Sequence, residues 1–398
     1  LRIGLPDGDD VAPVAPFEVI ALKCRTEPVD QAVSQTTRAA DWLMKRGAKR
    51  LYWKYCSTFD STPEGNIGPV AEALMRQTGA FQTIYCPAFP ENGRSIYMGN
   101  LFVGNQPLNE SPMKDHPLTP MRDANLIRLL TPQVEGKVGH IAWPDVAQGN
   151  AQITNLLKRL ASNGFAHVIP DAISQSDLQQ IAQAVQDFRL ITGGSALALD
   201  LPRLYEARGL IGEPDDTGDL PIIGKGQIVL SGSCSAMTRA QVAHFTSIAA
   251  SHQLDPLALA HDGTALHEAR NWLATLAPDA PKIIYATADP QDVVRSQEVL
   301  GREKAGNVVE TALAQLAQDA YELGVRRFVV AGGETSGAVT QALATDRLIV
   351  GREIAPGVPW CFANRNGETF AITLKSGNFG NEQFFTSAFG VLDQSTMS

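Results

Sequence analysis

The sequence predicts an α/β protein of two domains, each a mostly parallel sheet flanked by helices. Three observations carry that expectation. Short β-branched or aromatic runs alternate with amphipathic stretches along most of the chain, the rhythm of strands joined by crossover helices. The rhythm breaks over 203–226, where EARGLIGEPDDTGDLPIIGKG is polar and turn-rich, as a connection between domains would be. A length of 398 residues corresponds to two or three domains, at roughly 150 residues each. The expected domains are 1–205 and 227–398, with 206–226 as the linker.

In the first domain, LRIGLPDG reads as a strand end entering a turn, and FEVIAL (17–22) as a buried strand. Apolar Val29, Ala32, Val33, Ala39, Ala40 and Leu43 recur at roughly helical spacing over 29–46. Strands at 49–54 and 81–86 flank a helix at 68–77. The segment 87–120 is rich in Pro, Gly and Asn. So long a structureless stretch is uncommon in a compact domain, so it is either functional or hides small elements. Strands at 138–143, 166–169 and 189–192, with helices at 147–162 and 174–187, complete the pattern. The second domain reads as strand 227–231, helix 238–252, strand 282–286, helix 307–323, strand 326–331, helix 337–344 and the strand-like 369–374. Thr238 and Gln241 have the spacing of a capping box. Helix 307–323 repeats Val308, Val309, Ala312, Leu313, Leu316, Ala317 and Ala320 as a core-facing stripe.

Composition removes several classes. Apolar residues at 44% and charged residues at 19% are ordinary for a globular protein and exclude general disorder. The net charge of −9 argues against a nucleic-acid binder held by a basic surface. Apolar runs such as 17–22 and 328–331 fall far below the roughly 20 residues that span a bilayer. The five cysteines are scattered, with no CxxC pair, so neither a disulfide framework nor a zinc site is indicated. A cytoplasmic protein is the expectation.

The strongest local signal is FVVAGGETSGA (328–338), a hydrophobic strand running into Gly332, Gly333, Glu334, Thr335 and Ser336 ahead of a helix. Glycines at such a turn let backbone N–H groups approach an anion, and the helix N-terminus adds favourable partial charge. A Cβ at Gly333 is expected to block that approach. The alternative is a tight, capped turn with no ligand, since the run is neither a Walker A loop nor a GxGxxG fingerprint. Two further segments favour a ligand: VLSGSCS (229–235) places Ser231 after a strand, and KSGNFG (375–380) places Lys375 and Gly377 after another. Three polar, Gly-containing loops converging on one sheet edge suit a phosphate-rich ligand.

In the first domain, KYCSTFDSTPEGNIG (54–68) gathers Lys54, Asp60, Ser61, Thr62, Glu64 and Asn66 after a strand. That cluster suits hydrogen bonding to a polyhydroxylated ligand, or is an ordinary polar loop. Arg25 in ALKCRT and Arg94 in PAFPENGR are candidates for holding a carboxylate bidentately. His116 in KDHPLTP is a further candidate; the other six histidines show no ligand spacing and read as structural. A run resembling GxSxG at 230–235 lacks an elbow pattern and an evident His/Asp pair, so a hydrolase triad is not expected.

These segments, together with GGSALAL (193–199) and EIAPGVPW (353–360), resemble the four-carbon acid sugar kinases over nearly the whole chain. The resemblance implies an acid-sugar-binding domain in 1–205 and a nucleotide-binding domain in 227–398. ATP is then expected against Ser231, Gly332, Gly333, Glu334, Thr335, Ser336 and Gly377. The sugar acid is expected at Arg25, Lys54, Asp60, Ser61, Arg94 and His116, with Asp60 as the candidate general base. Mg²⁺ is expected as cofactor from the reaction type, with no metal ligand assigned. Family members open with a strand and an acidic loop expected ahead of Leu1, and Asp9 and Asp10 are not its equivalent.

The implied reaction moves the γ-phosphoryl of ATP to the terminal C4 hydroxyl of a four-carbon sugar acid. Pro63-Glu64 stands where relatives acting on threonate or erythronate more often carry Leu-Arg, which points to a 3-oxo-tetronate. Domain closure would bring the ligands together and exclude water. Partners are therefore a small sugar acid and ATP, with no nucleic acid or membrane, and a homodimer stays open. The alternatives are a D-threonate or D-erythronate 4-kinase and a non-catalytic sugar-acid-binding protein. A nicotinamide-dependent dehydrogenase would need a GxGxxG fingerprint that the chain lacks.

Overall fold

The computed structural model describes residues 1–6, 15–115, 119–212, 221 and 223–395. The chain divides into two compact units, Arg2–Asp215 and Asp216–Ser398, the latter taking in Leu1. Each is α/β, as the alternation requires. No helix among the described residues is long and apolar enough to cross a membrane.

In the first unit, β1 (Arg2–Ile3) and β2 (Ile20–Ala21) form a short parallel pair. FEVIAL therefore contributes two strand residues, and they are only partly covered. Among the described residues their one strand partner is the two-residue β1, and no larger sheet covers them. Helix α1 (Val29–Lys45) buries Ala32, Thr36, Ala39 and Ala40 on one face, and leads to β3 (Leu51–Lys54). Helix α2 (Ile67–Thr78) ends where Gly79 adopts φ +68° as its C-cap, and β4 (Thr83–Cys86) follows, buried throughout.

The segment 87–120 does hide small elements. An antiparallel sheet of β5 (Arg94–Tyr97), β6 (Asn100–Val103) and β7 (Gln106–Pro107) is accompanied by short 3₁₀ turns. The unit continues through α3 (Leu126–Leu130), β8 (Lys137–Ile141), α4 (Trp143–Val146), α5 (Asn150–Ser162), β9 (Phe165–Pro170) and α6 (Gln175–Val185). Ser174 and Asp177 form a reciprocal capping box at the start of α6. Then come β10 (Leu190–Gly193), α7 (Ser195–Ala198) and α8 (Leu201–Glu206). The main sheet is wholly parallel, in the order β3-β10-β4-β9-β8.

The second unit begins with β11 (Gln227–Ser231) and α9 (Ala236–Thr246). The helix expected over 238–252 is displaced. Its N-cap is Ser235, whose Oγ accepts from the Thr238 N–H, so Thr238 lies inside the first turn. It ends at Thr246, and 250–253 form β12 (Ala250–Gln253). This edge strand covers alternate residues only, so its ASHQ sequence shows none of the apolar run of a buried strand. Helices α10 (Pro256–Leu259) and α11 (Thr264–Ala274) precede β13 (Lys282–Tyr285). Helix α12 (Pro290–Leu300) and the long α13 (Arg302–Glu322) follow, and α13 buries the predicted stripe from Val309 to Ala320. Next are β14 (Arg327–Ala331), α14 (Gly333–Ala342), β15 (Ile349–Ala355), β16 (Val358–Arg365), β17 (Glu368–Lys375) and α15 (Phe384–Ser395). The sheet order is β12-β13-β11-β14-β17-β16-β15, parallel up to β17, with β16 and β15 added antiparallel.

Candidate functional site

In the second unit the carboxyl ends of β11, β14 and β17 stand side by side, with Ser231 in register with Ala331 and Ala331 with Lys375. The three loops singled out by sequence leave from these ends. The Gly232 and Ser233 N–H groups donate to the Ala331 carbonyl, and the Gly332 N–H donates to the Lys375 carbonyl. Ser231 is fully buried. Its hydroxyl lies 2.7 Å from the Thr287 Oγ1, which donates to the Ser233 carbonyl. Thr287 has a single hydroxyl proton, so Ser231 is the donor of that pair and fixes the turn after β11.

The glycines are required by close approach. A Cβ on Gly232 would lie 2.2 Å from Thr335 Oγ1, and one on Gly377 would lie 2.7 Å from Ser233 Oγ. Gly332 has φ +126°, which favours glycine, and a Cβ there would come within 2.9 Å of Thr335 Oγ1. Gly333 is different. It occupies the first position of α14, with a negative φ and open space around a would-be Cβ. The positive φ of this turn therefore belongs to Gly332, while a side chain at Gly333 would face open space. Thr335 and Ser336 are buried, and the Ser336 hydroxyl donates back to the Gly332 carbonyl at 2.7 Å. Glu334 is exposed. No side chain caps α14, so its first turn presents backbone donors at the edge where the three loops meet. The structure thus brings Ser231, Gly332–Ser336 and Gly377 together at one edge of the sheet.

In the first unit, the loop after β3 is held by residues of several elements. Asn66 is buried and its amide donates to the carbonyls of Cys24 and Glu27 at 2.8 and 3.1 Å. That tie brings Arg25 beside Asp60, with Nη1 3.5 Å from Oδ2. Asp60 is buried and its Oδ1 accepts from the Thr58 hydroxyl at 2.6 Å. Phe59, just before it, is fully buried with φ +59°, an uncommon conformation for a bulky residue and one that clusters at functional sites. Lys54 stands exposed at the end of β3. Desolvation by the surrounding protein lowers the pKa of its ammonium overall, with Cys56 opposing that shift, Arg25 adding to it and Asp60 opposing it. Ser61 is buried, donating to Gln133 Oε1 at 3.1 Å.

Arg25, Lys54, Asp60 and Ser61 therefore form one cluster. Arg94 is not joined to it: at the start of β5, its guanidinium donates to the Asn92 carbonyl of its own loop. The local turn offers that acceptor two residues away, and no contact with the cluster replaces it. His116 lies outside the described residues, as do Asp9 and Asp10.

Two supporting residues escaped the sequence reading. Gln133 accepts from Ser61 and from the Gly68 N–H, and donates to the Thr62 and Leu129 carbonyls. Asp171, fully buried, accepts from the N–H groups of Met98, Gly99 and Trp143 and contacts His140 Nε2 at 2.9 Å. It pins the β5–β6 turn to the carboxyl end of the sheet. Neither sits in a motif of its own. The carboxylate following the apolar run of β9 is the one signal that pointed toward Asp171.

Arg25→Ala is expected to raise the KM for a sugar acid by one to two orders of magnitude. Loss of a charge-assisted contact to a carboxylate costs about 1.5–3 kcal/mol. The Arg25–Asp60 pair is itself more than half exposed on the arginine side, so stability should change little. Steady-state kinetics and a melting curve check both halves; an unchanged KM removes Arg25 from the site.

Comparison with known proteins follows the same division. Residues 6–201 match a sugar-binding N-terminal domain and residues 228–385 a nucleotide-binding C-terminal domain. The chain is 47% identical to a 3-oxo-tetronate kinase of Burkholderia multivorans over 375 residues, covering 94% of this chain and 87% of the relative. It is 42% identical to the 3-oxo-tetronate kinase of Haemophilus influenzae, covering 94% and 89%. The fold matches the crystal structure of the Haemophilus influenzae protein HI1011 with a TM-score of 0.76 at 39% identity, covering 98% and 93%. A Salmonella typhimurium LT2 structure, provisionally described as a tRNA synthase, matches with a TM-score of 0.87 at 38% identity, covering 97% and 92%. With both family domains matched and relatives above 40% identity along nearly all its length, the chain belongs to the four-carbon acid sugar kinases, the family of the 3-oxo-tetronate kinases.

Proposed function

We propose that the protein is an ATP-dependent kinase that phosphorylates the C4 hydroxyl of a 3-oxo-tetronate. The observation that carries this reading is the similarity, at 41–47% identity, to relatives named 3-oxo-tetronate kinase. The geometry supports it independently: a glycine-lined edge suited to phosphates in one unit, and an Arg/Lys/Asp cluster suited to an anionic hydroxy compound in the other. A tRNA-directed reading is disfavoured by the net charge of −9.

Each group has a role that its chemistry fits. The backbone of Gly332–Ser336 and Gly377 would line the nucleotide phosphates, where positioning and charge stabilisation are most of what phosphoryl transfer asks of a protein. Arg25 and Lys54 would hold the carboxylate, and Ser61 the loop that presents it. Asp60 would take the proton from the C4 hydroxyl as the oxygen attacks the γ-phosphorus. Mg²⁺ would neutralise charge on the phosphates. Among the described residues there is no cluster of three or more His, Cys, Asp or Glu able to hold a metal.

The test is ADP release measured with 3-oxo-tetronates, D-threonate, L-threonate and D-erythronate at fixed ATP and Mg²⁺. The highest kcat/KM is expected for a 3-oxo acid. A ketone only accepts hydrogen bonds, whereas the reduced acid's hydroxyl also donates, and a site built for one leaves buried groups unpaired with the other. Equal or better turnover of a reduced acid overturns the substrate assignment, and no ADP release with any of them overturns the kinase.

A further inference from the structure

Two lysines are buried in the sheet of the second unit, one near each end of its parallel strands. Lys282 opens β13 and donates to the carbonyls of Pro278 and Gln227 at 2.8 and 3.3 Å. It has the Asp279 carboxylate to draw on. Lys375 ends β17 and is wholly buried. Its ammonium donates to the Gly377 carbonyl at 2.8 Å, the Ser376 carbonyl at 3.1 Å and Thr238 Oγ1 at 3.3 Å. The groups that face it are neutral. They are the Thr238 hydroxyl from α9, two carbonyls of its own loop, Ala331 across β14 and the Phe384 ring of α15 at 6.0 Å. Among the described residues no carboxylate pairs with it, and burial alone pushes its pKa down to about 8.

The same few atoms join two of the three loops, those after β11 and β17. The Thr238 hydroxyl accepts from Ser235 Oγ and Lys375 Nζ, donates to the Gly377 carbonyl at 2.8 Å, and lies 3.2 Å from Ser233 Oγ. All three Lys375 donors are therefore spent on the protein, directly behind the glycine-lined edge.

A desolvated cation with no counter-ion is costly, and most buried charges are paired for that reason. Its three hydrogen bonds to neutral oxygens satisfy the protons without cancelling the charge. An anion arriving at the adjacent edge would cancel it. We propose that Lys375 is a positioning residue of the anion site, whose buried charge is balanced by the phosphates of the bound nucleotide while its ammonium holds the Gly377 loop in place. This inference rests on the nucleotide reading of that edge for the identity of the anion. It gives Lys375 no contact with the reacting atoms.

The sign of two measurements separates this role from a purely structural clamp. Because the ammonium is partly deprotonated at pH 8.5 in the free protein, a neighbouring polyanion should drive it back to the charged form. Calorimetry of ADP binding at pH 8.5, in buffers of different ionisation enthalpy, should show proton uptake by the parent protein. Lys375→Met should lose that uptake and raise the Kd for ADP at least tenfold. Its unliganded melting temperature should stay level or rise, since an unpaired buried charge has gone. Lys282→Met is the control and should keep both the parent Kd and the parent uptake.

No proton uptake by the parent with either ADP or pyrophosphate, an unchanged Kd in Lys375→Met, or a lowered unliganded melting temperature each overturn the proposal. The parent measurement stands even if the variant does not fold. Pyrophosphate is the second probe: binding with proton uptake by pyrophosphate but none by ADP or ATP sustains Lys375 and overturns the nucleotide reading instead.

Discussion

Asp60→Asn is expected to lower kcat by about 10²–10⁴-fold, the range that a positioned general base contributes, while leaving ATP affinity at the parent value. The substitution keeps the shape of the side chain, and an amide oxygen can still accept from Thr58. It removes the negative charge that faces Arg25 at 3.5 Å and the lone pair that would receive the C4 proton. Asp60 is only 5% exposed, so bulk water cannot readily replace it as proton acceptor. Pre-steady-state turnover with saturating sugar acid isolates the chemical step from binding. A fall of less than tenfold in that step assigns Asp60 to holding Arg25 and Thr58 and sends the search for the base elsewhere.

Gly332→Ala is expected to destabilise the second unit by about 1–3 kcal/mol, the cost of holding a side chain in a glycine-only backbone region. At this size that corresponds to a melting temperature lower by roughly 2–12 °C. A larger loss is expected in nucleotide binding, at least tenfold in Kd. The new Cβ would sit 2.9 Å from Thr335 Oγ1 and 3.3 Å from the Ser233 nitrogen, wedging apart two of the loops that form the edge. Gly333→Ala is the matched comparison, because nothing lies within 4 Å of its would-be Cβ and its φ is ordinary. Its melting temperature should stay close to the parent's, since alanine in a helix is favoured over glycine. Differential scanning fluorimetry with and without ADP reads both effects. Equal behaviour of the two variants would show that the positive φ of Gly332 has no part in shaping the edge.

The architecture was legible in the sequence because its strands carry their own signal. FVVA, IVLS and TIYC are apolar on both faces, as strands covered by helices must be, and α13 repeats its stripe at a period set by helix geometry alone. Elements whose burial depends on neighbours were not legible. The edge strand β12 reads as a helix end, and FEVIAL reads as core although its only described strand partner is two residues long. Of the candidate site, the three glycine loops could be found because loops that pack this closely after adjacent strand ends demand small residues.

The sequence by itself determined the alternation, the two domains' fold class, and which loops carry Gly, Ser, Asp and Arg after a strand. Only the tertiary structure decided which of those residues meet. Asn66 brings Arg25 to Asp60 across 35 positions, while Arg94 turns back to its own loop. Gly332, not Gly333, bears the unusual φ. Lys375, read from sequence as part of a polar loop, is buried at the end of β17 with no carboxylate partner among the described residues. The physical reason is common to all of these. Periodicity and turn chemistry are local and are written in adjacent residues. Desolvation, hydrogen-bond partnership and steric approach are set by whatever the fold carries in from distant parts of the chain.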